Sequence, residues 1–125
     1  MKHLAQKLPL TVPVYQILLT LSDRALHGYA IIQDIRARTG GEVDLTASTM
    51  YAAVGRMLDA GLIAEVESRP DADGDDARRR TYRIEVDGRE LLRLEALRLE
   101  RSAQMARDKS VIPALAESRS GGKRS

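Results

Sequence analysis

The chain has 125 residues, a formal net charge of +2, no cysteine and only two histidines, His3 and His27. This length suits one domain with a modest core, and the composition excludes a disulfide framework, a thiol nucleophile and a thiolate or histidine-rich metal site, so no metal and no cofactor is expected. No apolar run reaches membrane-spanning length and the N-terminus lacks a signal-peptide core, which points to a cytoplasmic protein with no membrane partner.

In chain order, residues 1–12 mix polar and apolar positions around Pro9 and predict an arm or short helix. Pro13 suits the first position of a helix. Val14, Ile17, Leu18 and Leu21 then recur at i, i+3, i+4 and i+7, a core-facing stripe that runs out near residues 22–24. Residues 27–38, HGYAIIQDIRAR, predict a second helix buried through Ile31, Ile32 and Ile35 and stopped by Gly40-Gly41. Residues 42–45 alternate polar and apolar and predict a short strand.

The third helix lies between Thr46, a good N-cap, and Gly61, a good stop. Met50, Val54, Met57 and Leu58 form its apolar stripe. The opposite face carries Ser48, Thr49, Ala52 and Arg56 and has no carboxylate before Asp59. Short side chains let such a helix approach closely, and the B-DNA major groove admits one α-helix.

Leu62, Ile63 and Val66 are strand formers, residues 70–76 are turn-rich, and residues 80–86 alternate with Tyr82, Ile84 and Val86 on one face. Helix, helix, short strand, helix, strand, loop, strand is the order of a winged helix-turn-helix. The expected fold class is therefore mainly α with a small β-hairpin, followed by a long C-terminal helix. Asp87 begins a D-x-x-E capping box with Glu90, and the helix should reach about Arg107. Leu92, Ala96, Leu99, Ala103 and Ala106 step by four and three as a heptad seam, while Leu94, Leu97 and Met105 lie on the far side. Apolar residues on opposite faces must be covered on both. One face can pack on its own domain; the other implies a homodimer through this helix and the first. The expected organisation is an arm at 1–12, a winged domain at 13–86, a dimerisation helix at 87–108 and a mobile basic tail at 109–125.

Three runs together resemble the PadR-like transcriptional regulators. HGYAIIQDI at 27–35 is similar to the motif opening that family's second helix. LTASTMYAAVGRMLDAGLI at 45–63 resembles its recognition helix, and ARRRTYRIEVDGRE at 77–90 resembles its second wing strand and the turn after it. The set covers about residues 12–108. With one long helix after the wing, the chain looks like the short group of the family, which implies a dimeric winged-helix repressor. Two departures stand out: PDADGDDA occupies a wing position that is Gly-rich in many relatives, and the tryptophan with which some short relatives bind flat aromatic drugs is missing.

This reading assigns the residues as follows. Two recognition helices of a dimer should meet two half-sites about one helical turn apart, hence double-stranded DNA with a near-palindromic operator. Ser48 and Thr49, at the amino end of the third helix, suit a phosphate or a base edge. The resemblance implies that Tyr51 reaches a backbone phosphate; packing in the core with its hydroxyl at the rim is the alternative. Ala52 could touch a thymine methyl, and Arg56, the only cation on this helix, could anchor a phosphate or read a guanine, its place near the carboxyl end favouring phosphate. His27 and Tyr29 open the helix that crosses the DNA backbone. For His27 the competing role is to bond its own turn, and for Tyr29 it is packing on the first helix. Arg78, Arg79 and Arg80 begin the second wing strand, where they either grip DNA or pair with Asp75 and Asp76. The acidic wing tip at residues 71–76 should point away from DNA; its D-A-D-G-D-D run lacks the spacing of a calcium loop. A small-molecule inducer could bind between the dimer helices. Two other classes compete. An enzyme is disfavoured, since no nucleophile or base can be assigned. A winged helix serving only as a protein-interaction module is the second alternative.

Overall fold

The computed structural model describes residues 3–66 and 80–115. Residues 67–79, with the wing tip, Arg78 and Arg79, lie outside the described residues, as do the last ten residues of the basic tail. The described elements run in the order of a 3-10 turn (Leu4–Lys7), α1 (Val12–Leu21), β1 (Leu26–His27), α2 (Gly28–Arg38), α3 (Ala47–Asp59), β2 (Ile63–Val66), β3 (Thr81–Ile84) and α4 (Val86–Asp108). The chain is mainly helical with one small antiparallel sheet, ordered β1-β3-β2.

Each helix boundary has a local cause. The Thr11 hydroxyl accepts from the Val14 amide at 3.4 Å and opens α1, with Pro13 in its first turn. Thr46 does the same for α3, accepting from the Thr49 amide at 3.1 Å. At the far end of α3, Gly61 has φ +75. That left-handed residue lets the Leu62 amide reach the Met57 carbonyl at 3.0 Å and the Gly61 amide reach Leu58 at 3.1 Å, a Schellman closure.

The stripes expected from periodicity are the ones that pack. Ile17, Leu18 and Leu21 of α1, Ile31, Ile32 and Ile35 of α2, and Met50, Val54 and Met57 of α3 share one core with Leu62, Ile63, Tyr82, Leu91 and Leu92. A polar clamp fixes α2 on α1. Arg38 donates to Asp34 at 2.8 Å, to the Gln16 side chain at 3.1 Å and to the Gln16 carbonyl at 3.2 Å, and Thr20 donates to Asp34 at 2.8 Å.

The sheet departs from expectation. Residues 42–45 form no strand, because the chain there folds back on the end of α2. The Val43 amide donates to the Thr39 hydroxyl at 3.0 Å, and that hydroxyl donates to the Ile35 carbonyl at 2.8 Å. The alternation of Val43 and Leu45 reflects partial burial against the core rather than a ladder. The third strand lies before α2 instead: Leu26 pairs with Tyr82 and His27 with Thr81. On the other side of β3, Ile63 pairs with Ile84 and Glu65 with Tyr82.

Helix α4 also starts earlier than expected. Its first turn opens at Val86, with the Arg89 amide on the Glu85 carbonyl at 2.9 Å. Asp87 lies in the first turn, and the Glu90 carboxylate accepts from Arg93. By backbone contacts the chain divides after Glu95. In the first unit, Gly88, Leu91, Leu92 and Glu95 of α4 are buried. Leu92, expected on the outer seam, packs in the protomer's own core, on the buried line of Gly88, Leu91, Leu92 and Glu95. Glu95, 2% exposed, accepts from the Leu10 amide at 3.1 Å and ties the arm to the helix. In the second unit, α4 presents Ala96 and Leu99 to solvent and keeps Ala103 and Ala106 half-buried. It closes at Ser110, φ +63, and Val111 and Leu115 follow as exposed residues.

Candidate nucleic-acid interface

The amino ends of α2 and α3 are held together by a missing side chain. A Cβ on Gly28 would run into the Tyr51 hydroxyl and come within 2.8 Å of Tyr51 Cζ and of Met50 Cε. Gly28 is therefore a notch in α2 that seats the Tyr51 ring. The neighbours that crowd this glycine are side chains of α3. Tyr51 lies at the rim, partly exposed, with its hydroxyl against α2.

His27 has two structural duties. It is the last residue of β1 and the N-cap of α2, its Nδ1 accepting from the Ala30 amide at 3.3 Å. An acceptor Nδ1 places the proton of a neutral imidazole on Nε2, so the exposed edge of His27 is a donor. The helix-start role and a phosphate-facing role are thus compatible in one ring. Tyr29, in the first turn of α2, is 63% exposed.

On α3, Ser48, Thr49, Ala52 and Arg56 are all exposed, while Met50, Ala53, Val54 and Met57 are buried. The Thr49 amide is taken by the cap, and the Thr49 hydroxyl accepts from Thr46 at 3.1 Å, which leaves its own proton to donate outward. The first amides of the helix precede any intrahelical partner and carry the positive end of its dipole. Asp44, the carboxylate nearest this end in sequence, is neutralised by Arg36 at 2.9 Å. The local field therefore favours an anion.

In the sheet, Arg80 is exposed and its Nε lies 3.4 Å from Glu65 across the hairpin. Its partner is thus the opposite strand; Asp75 and Asp76 lie outside the described residues. Burial raises the pKa of Tyr82, beneath this strand pair, above the ordinary 10.0, so its phenol stays neutral. Arg56 was expected as a lone cation on α3. It lines a recess together with Lys7 of the arm, a proximity no local pattern in the sequence could disclose. Among the described residues no cluster of three or more His, Asp or Glu could hold a metal ion, and no helix is long and apolar enough to cross a membrane.

The family profile described as "Transcriptional regulator PadR-like family" matches residues 17–94, more than half of the chain. The chain belongs to the PadR-like family of transcriptional regulators. That match runs from within α1 to within α4 and contains His27, Tyr29, Ser48, Thr49, Tyr51, Ala52, Arg56 and Arg80. A PadR family transcription regulator from Clostridium difficile R20291 superposes with a TM-score of 0.67 at 24% identity, over 82% of this chain and 100% of that one. A transcriptional regulator from Clostridium thermocellum gives 0.65 at 23% identity, over 77% and 87%. PadR of Bacillus subtilis, solved in complex with operator DNA, gives 0.57 at 18% identity, over 89% of this chain and 54% of that longer one. Comparison with curated protein sequences gives no match. These likenesses establish the winged-helix fold of a PadR-like regulator.

Proposed function

We propose that this PadR-like regulator is a homodimeric repressor that binds double-stranded DNA at a near-palindromic operator in the cytoplasm and is released by a small-molecule inducer. The observation that carries the DNA reading is the division of α3. Its inner face is spent on the core, and its outer face offers the hydroxyls of Ser48, Thr49 and Tyr51, Ala52 and the cation Arg56, with no carboxylate before Asp59. The free amides and donors at the starts of α2 and α3 suit phosphate oxygens, which position a protein on the duplex, while base edges supply sequence preference. His27 Nε2, Tyr29, Tyr51 and Arg56 serve as phosphate contacts, and Ser48, Thr49 and Ala52 meet base edges. Arg78, Arg79 and Arg80 reach the backbone from the base of the wing.

Apolar surface supports the dimer. Leu99 and Met105 of α4 are exposed, an arrangement that a second copy would cover. With Leu92 committed to the core, Ala96, Leu99, Ala103 and Ala106 remain as the seam. The bound structure of the B. subtilis relative adds support for operator binding as a mode of this fold.

The test is selection of bound sequences from a random duplex pool, followed by titration in increasing salt. Recovery of a two-fold motif whose affinity falls steeply with salt is expected. A flat pool would replace this reading with a protein-interaction module.

A further inference from the structure

The turn between α2 and α3 carries a carboxylate to a place where a phosphate would meet it. Gly40 and Gly41 have φ +61 and +84, and the Gly41 amide closes α2 on the Arg36 carbonyl at 2.8 Å. The chain then doubles back, with the Val43 amide on the Thr39 hydroxyl at 3.0 Å. Asp44 follows at once, and Leu45 alone separates it from Thr46, the N-cap of α3. Two nitrogens of the Arg36 guanidinium, Nε and Nη2, each lie 2.9 Å from Asp44 Oδ1.

Asp44 has two opposed effects. A negative charge beside the amino end of a helix favours the helix, so Asp44 helps α3 to start. The same charge repels any phosphate brought to that end. The pair with Arg36 does little for stability by itself, because both side chains are more than half exposed and water screens them. Its consequence is therefore local and electrostatic.

We propose that Arg36 is a cover for Asp44. It cancels the carboxylate at the amino end of α3 and so lets the phosphate backbone approach Ser48, Thr49 and the first amides of that helix. Arg36 is a positioning residue in this scheme: it acts on DNA through Asp44 and is not itself a phosphate ligand. The charge that starts the helix is kept, and its penalty on the duplex is removed. This inference rests on the DNA reading.

Affinity for the duplex enriched by the wild type in the selection above is measured by fluorescence anisotropy over a range of salt. Four variants of the full chain are compared: Arg36→Gln, Asp44→Asn, Arg36→Gln with Asp44→Asn, and Arg36→Gln with Asp59→Asn. All three positions are exposed, so the fold should be kept. Arg36→Gln should bind about ten-fold more weakly at low salt, and the loss should shrink as salt rises. Adding Asp44→Asn should restore affinity to within about two-fold of the wild type, since the two changes act on one interaction. Adding Asp59→Asn gives the same net charge and should restore nothing. Asp59 ends α3, about 18 Å along the helix from its start, and charges so far apart are largely screened. Asp44→Asn alone should bind at least as tightly as the wild type.

A double variant as weak as Arg36→Gln, with the salt slope lowered by about one in both, would make Arg36 a direct phosphate contact and overturn the proposal. Equal recovery with Asp59→Asn would reduce the effect to overall charge and overturn it too. Weaker binding by Asp44→Asn would make the carboxylate a contact to a base, the opposite of a covered charge. In each of these cases the wild type still binds and the inference falls alone. A wild type that enriches no duplex removes the DNA reading and this inference together.

Discussion

The seam between α1 and α2 and the outward face of α3 are built from similar residue types and treat them in opposite ways. At the seam, Gln16, Thr20, Asp34 and Arg38 satisfy one another, and Thr20 is 3% exposed. On α3, Ser48 and Arg56 are exposed and have no protein partner among the described residues. A polar side chain that the fold has paired holds helices in place, and one that it has left unpaired is available to a ligand. The partner, rather than the residue type, separates scaffold from surface.

Substitutions in the two regions sharpen this contrast. The largest effect is expected beneath the α3 surface: Met50→Ala empties a fully buried position and should cost about 2–5 kcal/mol of stability in urea unfolding. A loss below about 1 kcal/mol would mean that the inner face is not the anchor of α3. Gly28→Ala comes next. Its methyl must displace Tyr51 or Met50, at roughly 1–3 kcal/mol. Duplex affinity should fall with it as the Tyr51 phenol is pushed off its seat, and wild-type affinity would show that the seat is irrelevant to DNA.

Arg56→Ala should be nearly silent in stability, within about 0.5 kcal/mol, as for surface changes in general. It should still weaken duplex binding about ten-fold and lower the salt slope by about one. Destabilisation with unchanged DNA affinity would reverse the roles assigned to the two regions.

Asp34→Asn has the smallest expected effect, about 1 kcal/mol. The hydrogen bond from Arg38 holds the Asp34 carboxyl below its ordinary 3.8, against a partial desolvation that raises it. A depressed carboxylate stabilises the fold above that value, and its contribution is lost as pH falls through the folded value. The difference between wild type and Asp34→Asn should therefore be full at neutral pH and shrink below about pH 3.8. A difference that persists unchanged in acid would mean that the charge on Asp34 is not what holds the clamp.

Local chemistry was readable in the sequence wherever one element decides it. The apolar stripes of α1, α2 and α3, the Thr46 cap and the Gly61 stop all depend on spacing within a helix. What depended on distant partners was not readable. A strand of two residues has no period, and Leu26 and His27 become β1 only through β3, far along the chain. The alternation at 42–45 imitated a strand because a loop packing Val43 and Leu45 inward alternates too. Leu91 was overlooked and Leu92 placed on the outer seam because a helix with apolar residues on more than one face does not by itself say which face turns inward. Of the surface, the α3 face was visible as a list of small and basic residues. The Gly28 seat for Tyr51 and the recess that Lys7 and Arg56 both line exist only once helices pack.

His27 belongs at once to the sheet and to the first turn of α2, opposite Thr81 by its backbone and over Ala30 by its ring. There is no spacer between the two in which a displacement could be absorbed. A tug on β3 from the wing must therefore reorient the imidazole donor and the opening of α2 together. On the proposed reading, strand and helix would meet a double helix together, since His27 leaves no joint between them.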